Sequence, residues 1–237
     1  MLAADVDVLR RRAQLMGIVY RPNPVPYRPH RASWRQPLHL HLAPLWDALA
    51  RELALLHGRV VDVGCGHKPY RAMLGPGVTE YVGVDRAGPH AAPDVVGDAS
   101  QLPFDDASFD AGVSFQVLEH VRDPRQCLRE LARVVKPGGT VLFTVPGVWP
   151  AHEVPHDHWR FTRDGLAALL VDAGLVEGEV TALGGLWSAL GQMANLELDK
   201  RWWARGLIPW VNLGARALGP TAREELVLNW LAVAKKR

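Results

Sequence analysis

The residues best suited to chemistry form the run Asp62-Val63-Gly64-Cys65-Gly66. Two glycines one residue apart let a backbone turn tightly and let a ligand come close to it. The carboxylate just ahead of them suits a cationic ligand. A second carboxylate, Asp85, lies 23 residues after Asp62, and a third, Asp98, follows in Val95-Val96-Gly97-Asp98-Ala99. An acid at the tip of the strand that follows a glycine loop takes ribose hydroxyls. A dinucleotide fingerprint requires a third glycine, so that helix and strand can close up while pyrophosphate sits on the helix N-terminus. Here that position is Pro69. The pattern therefore points to a nucleoside ligand that carries positive charge and no phosphate.

A second cluster is His152-Glu153-Val154-Pro155-His156-Asp157-His158-Trp159-Arg160-Phe161-Thr162. Imidazole titrates near neutral pH, so one of these histidines could act as a general base. Clustered nitrogen and oxygen donors could also hold a metal. A third reading is that His156, Asp157 and Arg160 only brace the loop by hydrogen bonds. Glu119-His120 poses the same question. The expectation carried forward is catalysis or acceptor contact by His156, His158 and His120, acceptor contact by Trp159 and Arg160, and no metal requirement.

The elements that must position these residues follow from periodicity. Val60–Val63, Tyr81–Asp85, Ala111–Phe115 and Val141–Val145 read as short buried strands, and Val95-Val96-Gly97-Asp98-Ala99 as the tip of another. A sixth strand is expected near Val176–Leu183 and a last one over Leu226–Ala234. Leu42, Leu45, Trp46, Leu49, Leu53 and Leu56 have helical spacing within 38–56, with a start at Pro44 and a stop at Gly58. Asp123 is placed to cap a helix over Pro124–Val134, and Thr162 one that runs to about Ala173 and is closed by Gly174. Residues 1–17 have one apolar helical face, and 20–37 carry five prolines and should be extended. Between the last two strands, residues 184–223 hold four of the nine tryptophans and read as two or three helices broken at Gly206 and Pro209.

Length and composition narrow the class. At 237 residues, 48% apolar and 22% charged, the chain suits one globular domain with extensions. A net charge of +2 names no partner. Residues 1–36 nonetheless hold seven arginines against Asp5 and Asp7. This arm, residues 1–37, reads either as a solvated basic leader or as a cover over the ligand. Cys65 and Cys127 form no disulfide framework, and no secretion signal or 18-residue apolar window is present, so a cytoplasmic setting is expected. Scattered basic residues with no aromatic platform argue against nucleic acid.

S-adenosylmethionine (SAM) has the required ligand chemistry: an adenosine, a sulfonium and an amino acid, without phosphate. From about Val60 to Leu175 the chain resembles the class I SAM-dependent methyltransferases, in the small-molecule branch with Asp-x-Gly-Cys-Gly. Leu102-Pro103-Phe104, Ser108-Phe109-Asp110, Leu118-Glu119-His120-Val121 and Arg133-Val134-Val135-Lys136-Pro137-Gly138-Gly139 stand in the family's order. His67-Lys68-Pro69-Tyr70 departs from it, where many members carry another glycine. The resemblance implies an α/β, Rossmann-like, doubly wound sheet of seven strands with an antiparallel last strand. To this the chain adds the N-terminal arm and the helical insertion, so residues 38–237 make up the domain. It also implies SAM as cofactor. Asp62, Gly64, Cys65 and Gly66 would take the methionine end, Asp85 the ribose, and Asp98 with Ala99 the adenine edge. Gln116 and Val117 would lie beside the sulfonium. The acceptor would be a small molecule or a lipid- or glycan-linked intermediate methylated on oxygen. The insertion itself reads either as a lid or peripheral membrane surface, with Arg201, Arg205 and Arg216 alternating with apolar residues as on a helix at an anionic interface, or as an extra helical layer whose tryptophans are core. Carbon methylation of a quinone-like or lipid ring, and a SAM-binding regulator without transfer activity, stay open beside it.

Overall fold

The computed structural model describes residues 32–89, 91–219 and 226–237. The helix expected over 1–17, most of the proline-rich stretch, six of the seven arginines and residues 220–225 lie outside the described residues. Strands β1 (Gly58–Val63), β2 (Val78–Asp85), β3 (Val95–Val96), β4 (Phe109–Phe115) and β5 (Val135–Pro146) pair in parallel. β7 (Asn229–Lys236) runs antiparallel between β5 and β6 (Leu175–Leu183). The order is β3-β2-β1-β4-β5-β7-β6. The chain thus winds outward from β1 through β2 to β3, then returns to start again at β4. The crevice at the carboxyl ends of β1 and β4 is where such sheets bind ligands.

Both faces of the sheet are covered, which is why its strands read as continuous apolar runs. Successive residues of β1 go to opposite faces. Val60 joins Leu45, Leu49 and Leu53 of α1 (His39–Ala54), while Val61 joins Leu128 and Leu131 of α2 (Pro124–Val134) and Leu166 of α3 (Arg163–Asp172). The expected caps form. Asp123 accepts from the Gln126 N–H at 3.0 Å, and Thr162 from the Gly165 N–H at 3.2 Å.

Four boundaries differ from the sequence reading. α1 starts five residues before Pro44, because a distant side chain serves its first turn. Gln192, fully buried, accepts from the His41 N–H at 3.1 Å and donates to the Pro37 carbonyl at 2.9 Å. β5 begins at Val135 and takes in the expected turn as a bulge, with Gly138 at φ +77° and a register shift opposite Phe109 and Ala111. β7 starts at Asn229, not at Leu226. The insertion breaks at Lys200-Arg201, between α4 (Leu186–Asp199) and a 3-10 turn over Trp202–Leu207. Pro209 lies in the first turn of α5 (Ile208–Ala217), where its missing N–H leaves no bond unmade.

Pro146 and Leu183 both face Asn229 across β7, so they mark one edge of the sheet. The insertion leaves and re-enters the sheet at that carboxyl edge. Buried amides fix it there: Asn195 donates to Asn212, which donates to the Trp34 carbonyl at 2.7 Å.

Candidate functional site

The glycine loop is built by β1 and pinned by its neighbours. Gly64 and Gly66 hold φ of +76° and +51°, a region glycine adopts without strain. A Cβ on Gly64 would lie 2.3 Å from a Val117 methyl, so the loop and the tip of β4 are in direct contact. Asp85 ties the loop to β2: its carboxylate accepts from the Gly66 N–H at 2.9 Å and from the Arg86 N–H at 2.7 Å. Carboxylate oxygens have about four acceptor sites between them, so Asp85 keeps capacity for a ligand. Gln116 takes φ +55°, uncommon for a side-chain-bearing residue, and its amide donates to Thr144 Oγ1 at 3.2 Å. Asp98, just beyond β3, accepts from the N–H and hydroxyl of Ser100 through one oxygen, which holds its carboxyl below the usual range. Ala99 is half-buried beside it and packs on the core.

Asp62 is buried and accepts from the Tyr81 hydroxyl through Oδ2, while Oδ1 is buried without a hydrogen-bond partner. Burial pushes its pKa up to about 7, and the Tyr81 hydrogen bond opposes that rise. Burial, with Asp62 and Asp85 nearby, also pushes the Cys65 thiol up to about 12, so Cys65 packs as a neutral side chain. An orphaned acidic oxygen below a glycine cradle suits the ammonium end of an amino acid ligand. The residues present therefore fit SAM.

One support has no counterpart in the sequence reading. Lys68, at φ +56°, reaches Asp94 at 2.5 Å, and Asp94 also accepts from the Gly83 N–H at 2.8 Å. This clamp shapes the loop where the family's further glycine is absent. Tyr70 then turns inward, edge-on to Phe115 with ring centroids 5.1 Å apart. The signal was present in Lys68, but its partner 26 residues on has no local mark.

The histidine loop follows β5. Arg160 commits all five of its N–H groups: to both oxygens of Asp157 at 2.6 and 2.8 Å and to the carbonyls of Trp149, Trp159 and Pro150. Arg160 and Asp157 are therefore loop braces, as one of the sequence readings held. Trp159 is partly exposed and donates from Nε1 to the Val121 carbonyl at 2.9 Å. His120 is joined through Nδ1 to the His156 carbonyl at 2.8 Å. His156 is half-buried and His158 exposed, with ring centroids 6.4 Å apart. Glu119, His152 and His120 come together behind them. Two clefts, of about 490 Å³ beside Trp34, His39 and Arg216 and about 400 Å³ beside Phe161 and Trp230, contain none of the glycine-loop residues and none of the tips of β1, β2 and β4. Chemistry at the strand tips, rather than concavity, locates the site.

Known proteins share the sequence pattern and the fold of this domain. Residues 61–143 match the methyltransferase domain family model, a span that runs from Val61 within β1 to Phe143 within β5. An uncharacterized methyltransferase of Mycobacterium leprae is 28% identical over 99% of this chain and 92% of its own. A Mycobacterium tuberculosis protein named "Probable S-adenosylmethionine-dependent methyltransferase" is 38% identical over 33% of this chain and 31% of its own. Among solved structures, phosphoethanolamine N-methyltransferase 2 of Haemonchus contortus, in complex with S-adenosyl-L-methionine, shares the fold. Its TM-score is 0.54 at 18% identity, over 81% of this chain and 52% of that one.

Proposed function

We propose that this chain, which belongs to the class I SAM-dependent methyltransferases, methylates a hydroxyl of an amphiphilic acceptor, lipid-linked or glycan-linked, presented at the carboxyl edge of the sheet. The observation that carries the acceptor reading is the surface of the insertion. Trp202, Trp203 and Trp210 are 83%, 67% and 71% exposed, and Leu207 and Leu213 beside them are also exposed. Large apolar side chains left in water at this density mark an interaction surface, and tryptophan suits a boundary that is apolar on one side and wet on the other.

SAM supplies an already activated methyl group. The chain's own residues then have to hold it, orient the acceptor and exclude water, and positioning alone is worth roughly 7–11 kcal/mol. Asp62, Gly64, Cys65 and Gly66 are assigned to the methionine end. Asp85 is assigned to the ribose, and Asp98 and Ala99 to the adenine edge. Gln116 and Val117 are assigned to the methyl side, which the closeness of Val117 to Gly64 supports. His156 and His158, with Trp159, front the acceptor, and an imidazole lone pair there is suited to take the hydroxyl proton. His120 stands behind them, its Nδ1 donating to the His156 carbonyl.

The test is transfer from methyl-labelled SAM to an extract separated into organic and aqueous fractions. Label is expected in the organic fraction, released by hydriodic acid as methyl iodide. Label that resists hydriodic acid would select carbon methylation. Tight SAM binding with no transfer to either fraction would select the regulator reading.

A further inference from the structure

We infer that Glu119, His120 and His152 form a binding site for one first-row divalent transition metal ion, of the zinc or manganese type, behind the acceptor loop. The inference goes beyond methyl transfer and does not rest on the SAM assignment. One donor atom from each of the three residues lies within 4.8 Å of the others. Glu119 is the strongest sign. Its side chain is 0% exposed, and neither carboxylate oxygen has a hydrogen-bond partner. Buried polar groups are paired as a rule, and a carboxylate most of all. Oε1 instead faces His120 Nε2 at 3.8 Å.

The histidines are oriented as metal ligands are. His120 Nδ1 lies 2.8 Å from the His156 carbonyl, and His152 Nδ1 lies 3.2 Å from the Pro150 carbonyl. A carbonyl only accepts, so each Nδ1 carries the proton and each Nε2 carries a lone pair. A ligating imidazole is held in this way, its other nitrogen donating to a carbonyl or carboxylate. His120 Nε2 is 3.8 Å from Glu119 Oε1 and 3.7 Å from Glu153 Oε2. Two ligands about 2.1 Å from one ion stand about 3–4 Å apart, so this spacing needs little change. The two imidazole rings stand edge to face with centroids 4.8 Å apart, and a small closure brings in His152. Glu153, largely exposed, marks the open side and can add a second carboxylate. Two imidazoles with one or two carboxylates select a borderline transition ion over magnesium or calcium, which prefer all-oxygen shells.

The test uses the full chain, stripped with a chelator and titrated with zinc or manganese by calorimetry, without SAM. One equivalent per chain is expected, with a rise in melting temperature. Glu119→Gln should weaken binding at least 10-fold and remove that rise. Its metal-free melting temperature should match or exceed the parent's, because the amide keeps the shape and removes an unpaired buried acid. His120→Ala and His152→Ala should weaken binding as well. A protein that binds neither ion stoichiometrically would overturn the site. So would binding that Glu119→Gln and both histidine variants leave unchanged.

Discussion

Asp62 sits under the glycine loop with one oxygen on Tyr81 and the other unpaired. Burial raises its pKa from 3.8 to about 7. The folded chain therefore holds a proton that the unfolded chain has already released above about pH 4. Stability from this group is complete below its unfolded value and is lost as the pH rises through 7. The ligand-free protein should thus weaken between about pH 4 and pH 7 relative to Asp62→Asn, which cannot ionise. The difference should be on the order of 2–4 kcal/mol in urea unfolding. Parallel pH profiles would show that Asp62 ionises at no cost and would remove it as a charge partner for the ligand. At this scale the sequence was informative where the chemistry is local. Asp62, Gly64, Gly66 and Asp85 lie where their types and spacing placed them, at strand tips in mutual contact. The Lys68–Asp94 clamp and the joining of Glu119 with His152 were not legible. Each joins residues far apart in the chain, and an isolated His or Lys has many structural uses.

The insertion shows what an element can add to a shared fold. Buried Gln192, Asn195 and Asn212 fasten it to residues 32–41, while its tryptophans face outward. The alternation of Arg201, Arg205 and Arg216 with apolar residues read as a helix on an anionic surface. The acids of the segment pair with part of that charge. Arg205 pairs with Asp199 at 3.0 Å, Lys200 with Glu197 at 2.5 Å, and Arg201 stands 4.0 Å from Glu197. Residues 184–219 carry four cationic side chains against two acids, and the proposed lipid contact is expected to draw mainly on the apolar side chains. Trp202→Ala and Trp203→Ala should each change stability by less than about 0.5 kcal/mol, the usual range for surface positions. A core tryptophan would cost about 3–5 kcal/mol. Both variants should lose binding to vesicles, and wild-type binding should persist in high salt. Large losses of melting temperature in both variants would make the insertion a structural layer only. The elements themselves were legible where their signals are local: strand runs, the Asp123 and Thr162 caps, and a helix before β1. The start of that helix was not, because Gln192 serves its first turn from 151 positions away.

Over the whole molecule, strand order decides where the chemistry gathers. Winding outward from β1 and then from β4 leaves the tips of β1, β2 and β4 at one edge. The antiparallel β7 brings the insertion back to that same edge beside the histidine loop. The strand tips and the histidine loop thus share one edge of the sheet. Among the described residues no helix is long and apolar enough to cross a membrane. The most direct measurement is backbone hydrogen exchange of the full chain with and without SAM. Protection should rise in residues 64–68, 85–89, 97–100 and 116–121, and stay unchanged at the opposite edge, in Gly75-Pro76-Gly77 and Lys136-Pro137-Gly138-Gly139. Protection confined to the cleft beside Trp34, His39 and Arg216, with the strand tips unaffected, would contradict the account.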